Sequence, residues 1–203
     1  MNDNFAGRAA DWDSVEKIEM TELFVSALME SVQLNSKWKA LEIGAGTGLV
    51  GLRIAPYVNS VVFEDTSESM LNRLKCKLTG NESVEVLYGE VFEYKFRDID
   101  LIFSSMTFHH LPDIEKTLEH LYEITNPGAT IVVGDIRSED GSFHRFEPIP
   151  HRGFDTDQLS ELFKNAGFEI QLVKTYNKLT RERVEGILTD YEQFILVAVK
   201  SSL

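Results

Sequence analysis

The sequence predicts an α/β fold, doubly wound around a mainly parallel seven-stranded sheet with an antiparallel edge strand. Short apolar segments alternate with segments of helical period, which is typical of strands joined by crossover helices. The predicted strands are almost wholly apolar, as expected when helices cover both faces of a sheet. The last two strands have no helical segment between them, so we expect them to pair antiparallel at one edge.

Each element follows from local composition. The predicted strands are short runs rich in β-branched and aliphatic residues, at 39–43, 60–63, 84–87, 99–103, 129–133, 169–176 and 193–199. The predicted helices have apolar residues three and four positions apart, at 14–34, 49–57, 67–78, 113–124 and 155–166. Ser67, Asp113 and Asp155 are suitable residues to begin three of these helices, and Gly167 to end the last. Pro127 and Gly128 predict a turn.

Composition narrows the classes of function. The chain has 203 residues, 43% apolar and 26% charged, which is typical of one soluble globular domain over residues 1–203. The net charge of −13 argues against nucleic-acid partners and anionic membrane surfaces. A single cysteine, Cys76, and a polar N-terminus without an apolar leader favour a cytoplasmic location.

The most informative stretch is "ALEIGAGTGLVG", residues 40–51, where an acid, Glu42, lies in an apolar strand before three glycines. Glycines at such a turn either let a ligand approach the backbone or only provide the turn geometry. Asp65 follows the second strand, where an acid can accept hydrogen bonds from ribose hydroxyls or cap the next helix. Glu42 would repel a pyrophosphate, and Leu49 stands where the GxGxxG pattern needs glycine, which disfavours NAD, FAD and ATP.

Five segments in order resemble the motifs of class I S-adenosylmethionine-dependent methyltransferases. They are "ALEIGAGTG" (40–48), "VVFEDTSESML" (61–71), "LYGEVFEY" (87–94), "DLIFSSMTFHHLPD" (100–113) and "LYEITNPGATIVVGDI" (121–136). The flanks are similar to small microbial members of the menaquinone-methyltransferase-like group. The resemblance implies a Rossmann-like methyltransferase fold, with a helical cap at 1–37, a cofactor-binding core at 38–136, and a lid segment with the last strands at 137–203.

The resemblance also implies where S-adenosylmethionine and its product S-adenosylhomocysteine bind. Glu42 would face the methionine amino group, Asp65 would hold the ribose hydroxyls, and Met70 would pack on the adenine side. Glu90 stands where the family usually has aspartate, and Glu64 is a second candidate for the ribose contact. The full expected set lies after the first four strands: Glu42, Gly44, Ala45, Gly46, Asp65, Thr66, Met70, Glu90, Val91, Ser104 and Ser105.

The acceptor side is predicted from residues after the fourth and fifth strands. His109 and His110 would face the acceptor and act as a general base, or serve as helix-entry or surface residues. His144 and His151 lie in an irregular segment, 137–153, that is either a substrate lid or a surface loop. In the N-terminal segment, Trp12 would close the pocket and Arg8 would meet a carboxylate, or that segment is an apolar anchor.

No metal is predicted, because His144, His151 and Asp135 match no compact zinc spacing, and Ser104 and Ser105 replace the acid of magnesium-dependent members. "SSMTF" (104–108) differs from the motif of amino-directed DNA methyltransferases, and no tyrosine has a lysine four residues on, as reductases would need. The expected function is methyl transfer to a small molecule by a monomer or homodimer. The alternatives are a protein or peptide acceptor and a non-catalytic cofactor-binding module.

Overall fold

The computed structural model describes residue 7 and residues 9–80 and 83–201. Its helices are α1 (Val15–Ser31), α2 (Gly51–Ile54), α3 (Glu68–Lys77), α4 (Ile114–Ile124) and α5 (Thr156–Asn165). Its strands are β1 (Lys39–Ile43), β2 (Ser60–Asp65), β3 (Val84–Tyr88), β4 (Ile99–Ser105), β5 (Thr125–Ile136), β6 (Phe168–Val184) and β7 (Ile187–Lys200). Within the described residues, no helix is both long and apolar enough to cross a bilayer.

The seven strands form one sheet in the order β3-β2-β1-β4-β5-β7-β6, which confirms the predicted fold class. β1 to β5 pair in parallel, β7 is antiparallel to β5, and β6 is antiparallel to β7. The one strand of reversed direction, β7, therefore lies one position in from the edge. The strand order reverses between β1 and β4, so the crevice beyond their carboxyl ends is the expected ligand position.

Helices cover both faces of the sheet, as the doubly wound prediction requires. On one face, Leu118 of α4 and Phe163 of α5 pack against the strands. On the other face, Phe24 of α1, Ile54 of α2 and Leu74 of α3 do so. Successive side chains of β1 point to opposite faces of the sheet, so Leu41 packs in the first apolar cluster and Ala40 in the second. The apolar strands are thus explained by burial on two sides.

The predicted and observed elements differ most at three places. The helix at 49–57 is only α2 followed by a 3₁₀ turn, Ala55–Tyr57, because Pro56 cannot donate the backbone hydrogen bond that would continue it. Pro127 and Gly128 lie within β5 rather than in a turn before it. β6 and β7 extend well past the predicted 169–176 and 193–199.

The extension of β6 and β7 forms a hairpin that sequence periodicity did not indicate. Val184 pairs with Ile187, so the loop is Glu185 and Gly186, and Gly186 has the positive φ that such a turn requires. The strand residues here are mostly polar or half-buried, which hides the two-residue period of a sheet with one apolar face.

Candidate cofactor and acceptor site

The glycine turn after β1 is held by the acids that end β2. The Ala45 amide donates to the Glu64 carbonyl at 2.8 Å, and the Gly44 amide donates to the Glu64 side chain at 3.3 Å. The Gly46 amide donates to Asp65 Oδ2 at 2.7 Å. These bonds fix the turn against the end of β2.

The three glycines of the turn have different reasons for lacking a side chain. All three have positive φ, at 68° for Gly44, 55° for Gly46 and 81° for Gly48. A Cβ on Gly44 would overlap the side chain of Thr107, and one on Gly48 would overlap Leu74. A Cβ on Gly46 would meet only Trp12, whose Nε1 would lie 3.7 Å away. Packing within the chain therefore requires the outer two glycines, whereas Gly46 leaves room at the surface of the turn.

Two buried glutamates lie beside this turn. Glu42 and Glu64 are each 3% exposed, and burial raises the pKa of both carboxyls well above their usual value. The negative charge of Asp65 raises both pKa values further, while the Gly51 and Gly44 amides act in the opposite direction. Glu42 Oε2 is buried without a hydrogen-bond partner among the described residues. Two buried carboxyls and the Asp65 side chain therefore lie beside the glycine turn.

Asp65 is oriented toward the turn and the start of α3. Its Oδ1 accepts from the Ser67 amide at 2.8 Å, while its Oδ2 accepts from Gly46. The residue that caps α3 is Ser67, whose hydroxyl accepts from the Met70 amide at 3.3 Å. Asp65 thus joins the glycine turn to the helix, and its contact with ribose hydroxyls stays a prediction.

The other expected cofactor residues fall into two groups. Ala45, Met70, Val91 and Ser104 are buried, and Ser104 Oγ donates to the Ile43 carbonyl at 3.1 Å. Thr66 and Glu90 are exposed, and Ser105 is half-buried. All of them lie in or just after β1 to β4, at the carboxyl ends where the prediction put them.

The N-terminal segment folds onto the glycine turn. Trp12 lies beside Gly46, and the Lys17 ammonium is 2.8 Å from the centre of the Trp12 ring. Asp13 forms an ion pair with Lys77 at 2.6 Å, and the Lys77 ammonium also donates to the Thr47 carbonyl at 2.7 Å. Trp12 is therefore on the cofactor side of the crevice. The predicted role of Arg8 lies outside the described residues.

Three histidines from the segments after β4 and β5 meet where the sequence predicted the acceptor side. His109 Nε2 and His144 Nε2 are 3.0 Å apart, and the ring centroids of His109 and His110 are separated by 4.2 Å. The His110 and His144 rings are 5.2 Å apart and nearly perpendicular. We call His109, His110 and His144 the histidine cluster. The structure thus joins both predicted catalytic histidines with one of the two predicted substrate histidines.

Asp135, near the end of β5, contacts His109 and orients its ring within the cluster. Its Oδ1 is 2.7 Å from His109 Nδ1, and its Oδ2 accepts from the His109 amide at 3.1 Å. Both side chains are almost fully buried, at 0% exposed for Asp135 and 1% for His109. The sequence prediction weighed Asp135 only as a metal ligand and missed this role. The signal was present, since Asp135 is an acid in an apolar strand just as Glu42 is.

Two of the three histidines in the cluster have lowered pKa values. Burial lowers the pKa of His110 to about 4, and the neighbouring His109 and His144 contribute in the same direction. Burial and His109 likewise lower the pKa of His144 to about 4, where Arg183 adds to the effect and Asp135 and Glu147 oppose it. His110 is an exposed residue overall, but its ring faces the other two imidazoles. His110 and His144 are therefore neutral near pH 7 and available as proton acceptors or ligands.

His151 is near the cluster but does not join it. Its backbone amide donates to the His109 carbonyl at 3.1 Å, while its ring packs 5.3 Å from the Phe154 ring. His151 instead lines a cavity of about 580 Å³ between α4 and α5, with Asp113 and Phe154 among its other walls. That cavity includes no residue of the glycine turn or the histidine cluster.

Comparison with known proteins shows which family the chain resembles. The methyltransferase-domain family matches residues 41–131 of the chain. An uncharacterized methyltransferase of Oceanobacillus iheyensis is 30% identical over 142 residues, covering 68% of this chain and 62% of the relative. A demethylmenaquinone methyltransferase of Clavibacter sepedonicus is 27% identical over 119 residues, covering 58% of this chain and 46% of the relative. The chain thus spans about three-fifths or less of the length of these relatives.

A solved structure shows the same fold over nearly the whole chain. It is the complex of the Haloferax volcanii Trm112 methyltransferase activator with a putative methyltransferase. That match has a TM-score of 0.83 at 16% identity and covers 99% of both chains. Residues 41–131 match the methyltransferase-domain family and both relatives are named as methyltransferases, so this part of the chain is a methyltransferase domain, and the solved structure shares its fold. The cofactor of such a domain is S-adenosylmethionine.

Proposed function

We propose that this protein transfers the methyl group of S-adenosylmethionine to a small-molecule acceptor by in-line displacement. The observation that carries the proposal is the pairing of two unlike sites along one crevice. An acid-lined glycine turn follows β1 and β2, and the histidine cluster follows β4 and β5. The segment from Ser104 to Thr107 connects them.

The acids suit a cationic cofactor. S-adenosylmethionine supplies an electrophilic methyl group on a positively charged sulfur and carries an ammonium group. Glu42 and Glu64 are buried with raised pKa values, and a cation beside them would favour their ionised form. Gly46 leaves the room that a ligand needs to lie against the backbone. Nucleotides with a pyrophosphate would instead meet repulsion here.

The histidine cluster suits the acceptor. An oxygen, nitrogen or sulfur nucleophile that arrives protonated must lose its proton as the new bond to carbon forms. His110 and His144 are neutral near pH 7 and can receive that proton, and the Asp135 carboxylate orients the His109 ring beside them. Because the methyl group is already activated, orientation of the acceptor supplies the rest of the catalysis.

The acceptor-side segment favours a small substrate over a protein. The Ser138 and Glu139 amides donate to the Phe154 and Arg152 carbonyls, at 3.0 Å each. The His151 amide donates to the His109 carbonyl. The first two bonds join the two ends of the predicted lid, residues 137–153, to each other, and the His151 bond attaches this segment to the residues after β4. A peptide acceptor would need a longer open groove. The cytoplasmic location and the monomeric or homodimeric state remain predictions.

Two measurements test the proposal. Calorimetric titration with S-adenosylmethionine, S-adenosylhomocysteine and NADH should show binding of the first two only, with loss of affinity in Asp65→Ala. Asp190→Ala is the matched control, because Asp190 is an exposed acid on β7 that bonds Lys178 and Thr180. Methyl-labelled cofactor is then incubated with a cell extract separated into small-molecule and protein fractions. Label in the protein fraction alone would refute the small-molecule acceptor while leaving the cofactor assignment intact.

A further inference from the structure

We infer that the histidine cluster is a binding site for one divalent transition-metal ion of the zinc type, with an open position for the acceptor. The sequence prediction was that the protein has no metal, but it weighed His144 with His151 and Asp135. The structure gathers a different set, in which one ligand atom from each of His109, His110 and His144 lies within 4.8 Å of the other two.

The spacing of the ligand atoms fits a shared ion. Zinc–nitrogen bonds are about 2.0–2.1 Å, which puts two ligands of a tetrahedral ion about 3.3 Å apart. His109 Nε2 and His144 Nε2 are 3.0 Å apart, so one ion can contact both with little movement. His110 offers a third nitrogen within 4.8 Å of the other two. Two imidazole nitrogens this close must share either a proton or a cation.

The tautomer of His109 is already the one a metal requires. A carboxylate can only accept a hydrogen bond, so the 2.7 Å contact with Asp135 puts the His109 proton on Nδ1. The lone pair of His109 is therefore on Nε2, which points into the cluster. Asp135 is itself held by the His109 and Ile136 amides. A buried carboxylate behind a histidine is the usual outer support of a metal-bound imidazole.

The backbone that carries His144 is strained in a way that favours this position. Gly141, Arg145 and Phe146 all have positive φ, at 99°, 55° and 60°, and the last two are not glycine. Arg145 and Phe146 are therefore in a conformation that persists only where the surroundings require it. Glu139 accepts from the Gly141 and Phe143 amides, which closes the loop around His144. The chain thus holds His144 against His109 at a cost in stability.

The donor set selects the kind of metal. Three imidazoles suit zinc, copper, iron or nickel, whereas magnesium and calcium prefer oxygen ligands. Three protein ligands leave a fourth position, and exposure of His110 directs that position outward from the buried His109. Metal sites with three protein ligands and an open position are typical of catalysis rather than of structural support.

The consequence for methyl transfer rests on the proposed function, but the metal site does not. With the ion bound, His110 and His144 would be ligands instead of proton acceptors, and an acceptor hydroxyl or thiol at the open position would release its proton to water, because the ion would stabilise the resulting oxyanion or thiolate. The lone pair of that atom forms the new bond to the methyl carbon, and the carbon–sulfur bond electrons pass to sulfur. When His144 binds the ion through Nε2, the proton of its neutral imidazole lies on Nδ1 instead of Nε2.

Metal titration of the chelator-treated, full-length protein without cofactor tests the site itself. Zinc is titrated by calorimetry and cobalt by its visible absorption, which reports tetrahedral coordination. We expect one ion per chain, weaker binding by about 10- to 100-fold in Asp135→Asn, and a larger loss in His110→Gln with His144→Gln. His120→Gln is the matched control, because His120 lies on α4 and its Nε2 contacts the Val91 carbonyl instead of the cluster.

Three results would overturn the inference. The first is no binding of zinc or cobalt by the wild-type protein. The second is equal binding by the wild-type protein and the His110→Gln, His144→Gln variant, which would put the ion elsewhere. The third is a cobalt spectrum without tetrahedral bands. Titration of the same variant with S-adenosylmethionine separates the two proposals, because loss of the metal site should leave cofactor binding intact.

Discussion

Replacing Gly46 by alanine tests whether the middle of the glycine turn faces a ligand. Gly46 has φ of 55°, so alanine there adopts the left-handed region at a cost of about 1–2 kcal/mol. The new Cβ would lie 3.7 Å from Trp12 Nε1, which is ordinary contact and adds no overlap. For a chain of this size we expect a fall in melting temperature of about 2–8 °C.

Gly186→Ala is the matched control for this substitution. Gly186 has φ of 74°, lies in the hairpin turn between β6 and β7, and has nothing within 4 Å of an added Cβ. The two variants should therefore lose similar stability. Only Gly46→Ala should lose affinity for S-adenosylmethionine, by about 5- to 150-fold if the added methyl overlaps the ligand by about 1–3 kcal/mol.

Calorimetric titration and thermal unfolding of both variants separate the two effects. If Gly46→Ala binds S-adenosylmethionine as tightly as Gly186→Ala does, then the turn does not contact the ligand. In that case all three glycines of the turn serve only backbone geometry and packing.

Three further predictions follow from packing and charge. Gly44→Ala should cost about 1–3 kcal/mol more than Gly186→Ala in urea unfolding, because its Cβ overlaps Thr107; equal costs would contradict that contact. Because the pKa of Glu64 is raised in the folded protein, the protein without ligand should lose stability as pH rises above 4.5. Glu64→Gln should therefore be more stable than wild type near pH 8 but not near pH 4. A variant that is no more stable near pH 8 would count against a raised pKa. The lowered pKa values of His110 and His144 mean that the unfolded chain takes up protons first, so stability should fall as pH drops from 6.5 to about 4, and less so in His110→Gln with His144→Gln.

Much of the fold was predictable because its signals are local. Apolar runs alternating with helical periods determined the seven strands and the covered faces, and Ser67, Asp113 and Asp155 cap helices as predicted. The errors also have local causes. Pro56 shortens α2, and the polar hairpin arms of β6 and β7 have no clear apolar face.

The candidate site was predictable where residues adjacent in sequence act together. The stretch from Glu42 to Gly46 singled out a turn that either contacts a ligand or only provides backbone geometry, because the acid and the glycines are neighbours. The sequence could not distinguish the roles of the glycines, since Gly44 is required by Thr107 and Gly48 by Leu74, both distant in the chain. It also left Glu64 as a second candidate, and only the structure shows it buried and bonded to the turn.

The sequence by itself determined the class of this protein: its α/β architecture, its glycine turn and its methyltransferase motifs. Only the tertiary structure decided what the acceptor side contains. His109 and His144 are 35 positions apart in the chain, and Asp135 is 26 positions from His109. Their contact depends on the end of β5 lying beside the segment after β4 and on a strained turn that returns His144 to it. No local pattern encodes such a contact, because it arises from the pairing of strands and the packing of a loop against them.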